Sequence, residues 1–317
     1  MLHLNKKSFE HDVVFLSGLT RSGKTLLCPI VSSFNNSEKV NLEPNFENLI
    51  ELAHVNCIKE EALIYLLRSH MNLMVYNDAI GRNVNFRPND YTGVWNYVNP
   101  LTYIHRVKKS DGNDVYADIK KSKRLFPLML HDGLWHAEYI FKAFPSSKII
   151  HMQRHPIDLA YSWINKGYGG DFFEDLRSHT VSYLFNNQVV PYYAYGWEEE
   201  YLSLSEADRV IHMINKLINL HVNTYNKLDE KYLEKVLFVN HQELASEPHK
   251  VTKNVEIFLG SKITEHTQEV FNREDCPREF NDDDRMNKLQ YIQSHSSIGA
   301  LKLLNDMINE YHNQLRV

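Results

Sequence analysis

The stretch Asp12-Val13-Val14-Phe15-Leu16-Ser17-Gly18-Leu19-Thr20-Arg21-Ser22-Gly23-Lys24-Thr25 decides how the rest of the chain is read. Its first half is an apolar run of strand length. Its second half fits the phosphate-loop pattern G-x-x-x-x-G-K-[ST], and residues 26–34 continue it with a helical pattern. Two glycines let the backbone curl so that successive N–H groups point inward as a nest for anionic oxygens. The helix that follows adds unpaired N–H groups and a partial positive charge. Arg21 and Lys24 add formal charge, the guanidinium being suited to forked contacts with an oxyanion. The loop alone does not say which phosphorylated ligand it holds.

Outward from this loop, apolar runs at 126–130 (FPLML), 148–152 (KIIHM) and 235–239 (KVLFV) alternate with helix-length stretches. The pattern predicts an α/β fold: a P-loop-like three-layer sandwich, a central parallel sheet with helices on both faces. Amphipathic periodicity predicts helices over 60–68, 207–228 and 250–259, with Gly260 as a C-cap. Residues 71–106, rich in Asn, Tyr and Arg, are expected to be irregular and to border a cleft, and the part from about 282 is expected to be helical. With no repeat, low-complexity tract or linker, residues 1–317 read as one domain.

Composition narrows the partners. A net charge of −5 offers no basic field for nucleic acid, so any anion must be held by a local cluster of donors. The three cysteines, Cys28, Cys57 and Cys276, are too few and too dispersed for a disulfide framework or a zinc knuckle. No run approaches the roughly 18 apolar residues of a membrane span, and the N-terminal apolar run is too short for a signal peptide. A cytoplasmic protein is expected. Oligomeric state is not readable from the sequence.

A second motif lies downstream. The run KIIHMQ leads into Arg154-His155-Pro156, with Ser162 eight residues beyond the arginine. An arginine at a strand end and a serine about two helical turns on can share one face and act as two phosphate donors.

With both motifs in hand, the chain resembles the PAPS-dependent sulfotransferases, where PAPS is 3′-phosphoadenosine 5′-phosphosulfate. That family has a 5′-phosphosulfate loop of the type [KR]-S-G-T-T-[LW], matched here by Arg21, Ser22, Gly23, Lys24, Thr25 and Leu26. Its 3′-phosphate motif, R-x-x-x-x-x-x-x-S, is matched by Arg154 and Ser162. The segment VLFVNHQELASEPHKVTKNVEIFLG also looks like the family's late strand and helix. Lys24 departs from the family's usual Thr. The R-K-G-x-x-G-D-W segment of the cytosolic small-molecule branch is missing, and Arg273 or Arg278 is a candidate replacement. These departures move the likeness toward the carbohydrate, tyrosine and bacterial branches.

The resemblance implies PAPS as donor, 3′,5′-ADP as product, no metal, and an acceptor with a free hydroxyl, a carbohydrate or other small or glycan acceptor. It also implies a proton acceptor. Glu43, in Lys39-Val40-Asn41-Leu42-Glu43-Pro44, sits where glutamate-base branches carry theirs and is the preferred candidate. His131, after the run FPLML, is the rival, or else a group that stabilises the sulfuryl unit. The mix of cations, amides and aromatics in Arg82–Arg87 and Trp95–Tyr97 suits a polar acceptor, and Gly167–Gly170 reads as a flexible helix end. Two alternatives stay open: a P-loop kinase using Mg-ATP, opposed by the lack of an apolar strand ending directly in Asp, and a nucleotide-binding module without catalysis.

Overall fold

Strand β1 (Asp12–Ser17) is buried along all but its first residue, because it lies in the middle of a parallel sheet covered on both faces. The computed structural model describes residues 12–314 apart from 89, 98, 110–111 and 171–178. Of the N-terminal stretch weighed as a signal peptide, residues 1–11 lie outside them, and its apolar run is part of β1. The other strands of the sheet are β2 (Asn41–Leu42), β3 (Leu125–Met129), β4 (Lys148–Gln153) and β5 (Val236–Asn240). All pairings are parallel, in the order β2-β3-β1-β4-β5.

Side-chain alternation along β1 sorts the helices into two layers. Val14 and Leu16 face α1 (Lys24–Ser32) and join its Leu27, Ile30 and Val31 in one core. Val13 and Phe15 face the opposite layer, with Phe46 and Ile50 of α2 (Pro44–His54), Leu63 and Leu67 of α3 (Glu60–Ala79) and Ile140 of α4 (Ala137–Ala143). A third core joins α5 (Pro156–Asn165) to α6 (Glu206–Lys227). Helix α7 (Pro248–Leu259) lies in the α1 layer and ends at Gly260, whose φ of 68° is the left-handed cap expected of it. Beyond it, α8 (Asp282–Gln293) and α9 (Ile298–Gln314) pack on α5 and α6, so the C-terminal part is helical as the sequence implies.

Two regions differ from the sequence reading. The segment 71–106 is irregular only in its middle, because α3 runs on to Ala79 and Leu101–Val107 is helical again. Met71, Met74, Val75 and Asp78 continue the buried stripe of α3 at helical spacing, a signal that the intervening Asn residues obscure. An unpredicted antiparallel hairpin joins Ser182–Phe185 to Gln188–Pro191. Its turn residues Asn186 and Asn187 both have positive φ, as a tight two-residue hairpin requires.

Candidate active site

The carboxyl ends of β1, β3 and β4 converge on one cleft, as expected for a ligand site in an open parallel sheet. At the end of β1 the chain turns through Gly18, where a Cβ atom would stand 2.7 Å from the Met152 carbonyl oxygen. It enters α1 through Gly23, which has φ of 103° and a virtual Cβ 2.1 Å from Cδ2 of His241. No side chain caps α1. Its first N–H groups are therefore left for an anion.

The two sequence motifs meet here. Arg21 Nε donates to Ser162 Oγ at 3.1 Å, Arg154 Nη1 donates to the Arg21 carbonyl at 2.6 Å, and Trp163 Nε1 donates to the Thr20 carbonyl at 2.8 Å. Helix α5 is set for this by Pro156 at its first turn and by His155, whose Nδ1 accepts the Ile157 N–H. Burial together with the neighbouring charges of Arg21 and Arg278 holds the Arg154 guanidinium below its usual value, against the opposing pull of Asp158. Three arginines thus gather around one spot, a concentration of like charge that an oxyanion would relieve. Two polar atoms there, Ser22 Oγ and Arg154 Nε, are buried with no hydrogen-bond partner. Buried orphan donors of this kind call for a ligand. These residues fit a ligand that presents anionic oxygens.

Several candidates sit differently from one another. Thr25 is exposed at the start of α1, whereas Leu26 is buried in the core beneath the sheet and serves packing. Lys24 is buried, and its Nζ donates back to the carbonyls of Gly18 at 2.5 Å and Leu19 at 2.8 Å. Burial lowers its pKa to about 8, partly offset by the carboxylates of Asp132 and Glu47. Of the two arginines considered as C-terminal phosphate contacts, Arg278 is the one beside Arg154 and His241. Arg273 is exposed and paired with Glu274 at 3.5 Å. A cavity of about 440 Å³ adjoins Ser22 and Arg154, with apolar walls that include Leu19, Ile218 and Phe238.

The two proton-acceptor candidates also part company. Glu43 is the N-cap of α2: its Oε1 accepts from the Asn45 backbone N–H at 3.3 Å and from Asn45 Nδ2 at 3.0 Å, with His70 Nε2 3.7 Å away. His70 and the Asn45 bonds keep it below the usual carboxylate value. His131 follows β3 and retains 23% exposure of its side chain. Its backbone N–H and its Nδ1 both meet Glu47, at 2.5 Å and 3.1 Å.

Glu47 was not among the residues the sequence singled out. It is 1% exposed, and His179 Nε2 lies 3.6 Å from its Oε2. Burial alone would raise this carboxyl, but the imidazoles of His131 and His179 and the His131 N–H bring it down to about 2. The ligand atoms of Glu47, His131 and His179 all lie within 4.8 Å of one another, close enough to share a cation. The carboxylate is already engaged by donors from both rings.

The segment Arg82–Arg87 is tied into its own loop. Arg82 Nη1 donates to Asn77 Oδ1, Asn85 Nδ2 to Thr92 Oγ1, and Trp95 Nε1 to the Phe86 carbonyl. The rings of Phe86 and Trp95 remain exposed. Among the described residues no helix is long and apolar enough to cross a membrane.

No curated protein matches the chain. Among solved structures, the sulfotransferase domain from the curacin biosynthetic pathway is 14% identical, with TM-score 0.44, over 82% of this chain and 78% of that one. A Mycobacterium avium sulfotransferase is 12% identical, with TM-score 0.46, over 97% and 77%. An Alicyclobacillus acidocaldarius sulfotransferase is 14% identical, with TM-score 0.37, over 94% and 96%. These likenesses are loose, and the assignment rests on the profile of the sulfotransferase domain, which matches residues 11–305, nearly the whole described chain. By that match, and with the loop and the Arg154 motif joined at one cleft, this chain belongs to the sulfotransferase domain family.

Proposed function

We propose that the chain, as a single domain, transfers a sulfuryl group from PAPS to a hydroxyl of a carbohydrate or similar small polyhydroxyl acceptor. The observation that carries this reading is the pair of buried, unpartnered donors, Ser22 Oγ and Arg154 Nε, within the arginine cluster where the two motifs meet. In the proposal, Arg21, Ser22, Gly23 and the start of α1 receive the 5′-phosphosulfate. Arg154, Ser162 and Arg278 receive the 3′-phosphate, and the adjoining cavity supplies apolar walls for the purine. PAPS supplies the activated sulfuryl group, and the protein's part is positioning, charge stabilisation and removal of a proton. His131 is the better proton acceptor, since Glu43 is committed to capping α2. The carbohydrate class is supported by exposed aromatic rings, Trp95 and Phe86, on a loop whose Tyr91 lies near Glu47.

The kinase reading has in its favour Lys24 in the loop and, in the structure, a carboxylate at Asp132 just beyond β3, the strand beside β1. Asp132 accepts from Tyr192 OH at 3.1 Å and lies 3.3 Å from His221. The test is calorimetric binding of 3′,5′-ADP against Mg-ATP, followed by transfer from sulfur-labelled PAPS to a panel of mono- and oligosaccharides with EDTA present. Tight binding of 3′,5′-ADP and labelled sugar product are expected. Binding of Mg-ATP alone would overturn the proposal.

A further inference from the structure

We propose that Glu47 is the positioning residue that makes His131 a proton acceptor, by holding its Nδ1–H and leaving Nε2 as the free, basic nitrogen of the ring. The inference rests on the sulfuryl-transfer reading above.

An ionised carboxylate can only accept hydrogen bonds. The contact between Glu47 Oε2 and His131 Nδ1 therefore requires the proton to sit on Nδ1, which fixes the tautomer of the neutral ring. The second oxygen of Glu47 accepts the His131 backbone N–H, so one carboxylate clamps both the main chain and the ring of the same residue. A fork of this kind fixes where the ring points. The Glu47 carboxylate is supplied from α2, the ring from the end of β3 and His179 from the segment before the hairpin. Lys24 from the phosphate loop, Glu51 one turn along α2, and Asp132 and His136 beyond β3 are titratable groups that also face the pair, with the phenols of Tyr91 and Tyr192 near Glu47.

A carboxylate buried to this degree is costly, and an apolar residue would fill a core position of α2 more cheaply. Its presence at the carboxyl edge of the sheet, against an imidazole that keeps 23% of its side chain exposed, fits a role in the reaction. In that step the acceptor O–H proton passes to His131 Nε2 while the acceptor oxygen forms its bond to sulfur. The bond from sulfur to the phosphate oxygen breaks, and 3′,5′-ADP leaves with the electron pair. The positive charge gained by the ring is offset by Glu47, and the proton is later lost to water. This is the arrangement by which a buried carboxylate orients a histidine in hydrolytic triads.

The experiment compares the full chain with Glu47→Gln, Glu47→Asp, His131→Ala and the double variant Glu47→Gln/His131→Ala. Turnover with labelled PAPS, calorimetric binding of 3′,5′-ADP and the ring ¹⁵N shifts of His131 are read in each. Glu47→Gln is expected to lower kcat by roughly 10- to 10³-fold with 3′,5′-ADP affinity unchanged, and Glu47→Asp to recover part of it. The double variant is expected to be no slower than His131→Ala alone, because Glu47 acts only through the ring. The parent is expected to show the Nδ1–H tautomer, and Glu47→Gln a mixture. Parental turnover in Glu47→Gln with His131→Ala inactive would sink the positioning role and leave sulfuryl transfer standing. Turnover abolished by chelators and restored by zinc would also overturn it, by making the three groups a metal site. If the parent transfers no label from PAPS, the function fails instead. The ¹⁵N spectrum still judges the tautomer in that case, and it does so from the parent alone if Glu47→Gln does not fold: an Nε2–H ring overturns the inference.

Discussion

Replacing Arg154 by alanine tests the nucleotide site at its most loaded point. The side chain has two duties in the structure: Nη1 holds the loop through the Arg21 carbonyl, and Nε is buried with nothing to bond. Losing a charged hydrogen bond to a phosphate costs about 1.5–3 kcal/mol. At about 1.4 kcal/mol per decade, that is a loss of about ten- to 150-fold in affinity. Loosening the loop adds a smaller loss that falls on any ligand of the phosphate loop. The two are separated by titrating 3′,5′-ADP and ordinary 5′-ADP into parent and variant at one fixed salt concentration. Arg154→Ala is expected to lose most of its affinity for the first and little for the second. Arg154→Lys keeps the charge but not the fork, and is expected to fall between. An equal loss for both nucleotides would reduce Arg154 to a prop for the loop, and no loss for either would refute the reading of the motif.

Two further outcomes follow from the same coordinates. Gly23→Ala is expected to weaken 3′,5′-ADP binding strongly, since its Cβ would meet His241 at 2.1 Å in a left-handed backbone; parental affinity by calorimetry would show the loop to be differently built. Glu38 is buried and bonded by Arg106 at 2.8 Å and 2.9 Å, by Tyr103 OH at 2.5 Å and by Arg124. Burial would raise its carboxyl, but Arg106 leads the groups that bring it down to about 2 from 4.5. A depressed folded-state value means stability that is present above about pH 4.5 and is lost as pH falls toward 2. Glu38→Gln is thus expected to melt earlier at neutral pH, by about 3–5 kcal/mol for stranding Arg106, with a flatter acid limb. A parent and variant with parallel melting curves between pH 5 and 2 would contradict this.

The parts of the molecule legible from sequence are those where a local signal and the fold agree. β1 and the loop after it combine an apolar run, two glycines and a helix start, and each demands the same geometry. Arg154 and Ser162 could be paired because a helix fixes their spacing, and the structure does bring both to Arg21. Strand β2 is only two residues long and leaves no periodic trace. The hairpin was written in Leu184-Phe185-Asn186-Asn187-Gln188-Val189, where two adjacent asparagines between apolar residues suit a turn with positive φ.

Glu43 and Glu47 show most clearly why a site resists reading from spacing alone. Glu43 stands before Pro44, and a carboxylate followed by proline at the first helical position is a helix-start signature. The structure uses it as one. The informative carboxylates lie further on, at Glu47 and Glu51, beside Phe46 and Ile50 on the buried side of α2. A helical wheel over 44–54 would have exposed two acids next to an apolar stripe, which a solvated face does not explain. What the wheel could not give is their partners, because His131 comes from a strand end 84 residues away and the Val181 N–H, 3.1 Å from Glu51, from a segment 130 away. Their surroundings drive the two acids apart, although the Val181 N–H opposes the shift of Glu51. Glu47 is drawn down by His131, while burial and the charge of Glu47 push Glu51 well up. One turn of one helix therefore carries a carboxylate held low by the imidazole it can orient and a second that burial and the first push upward.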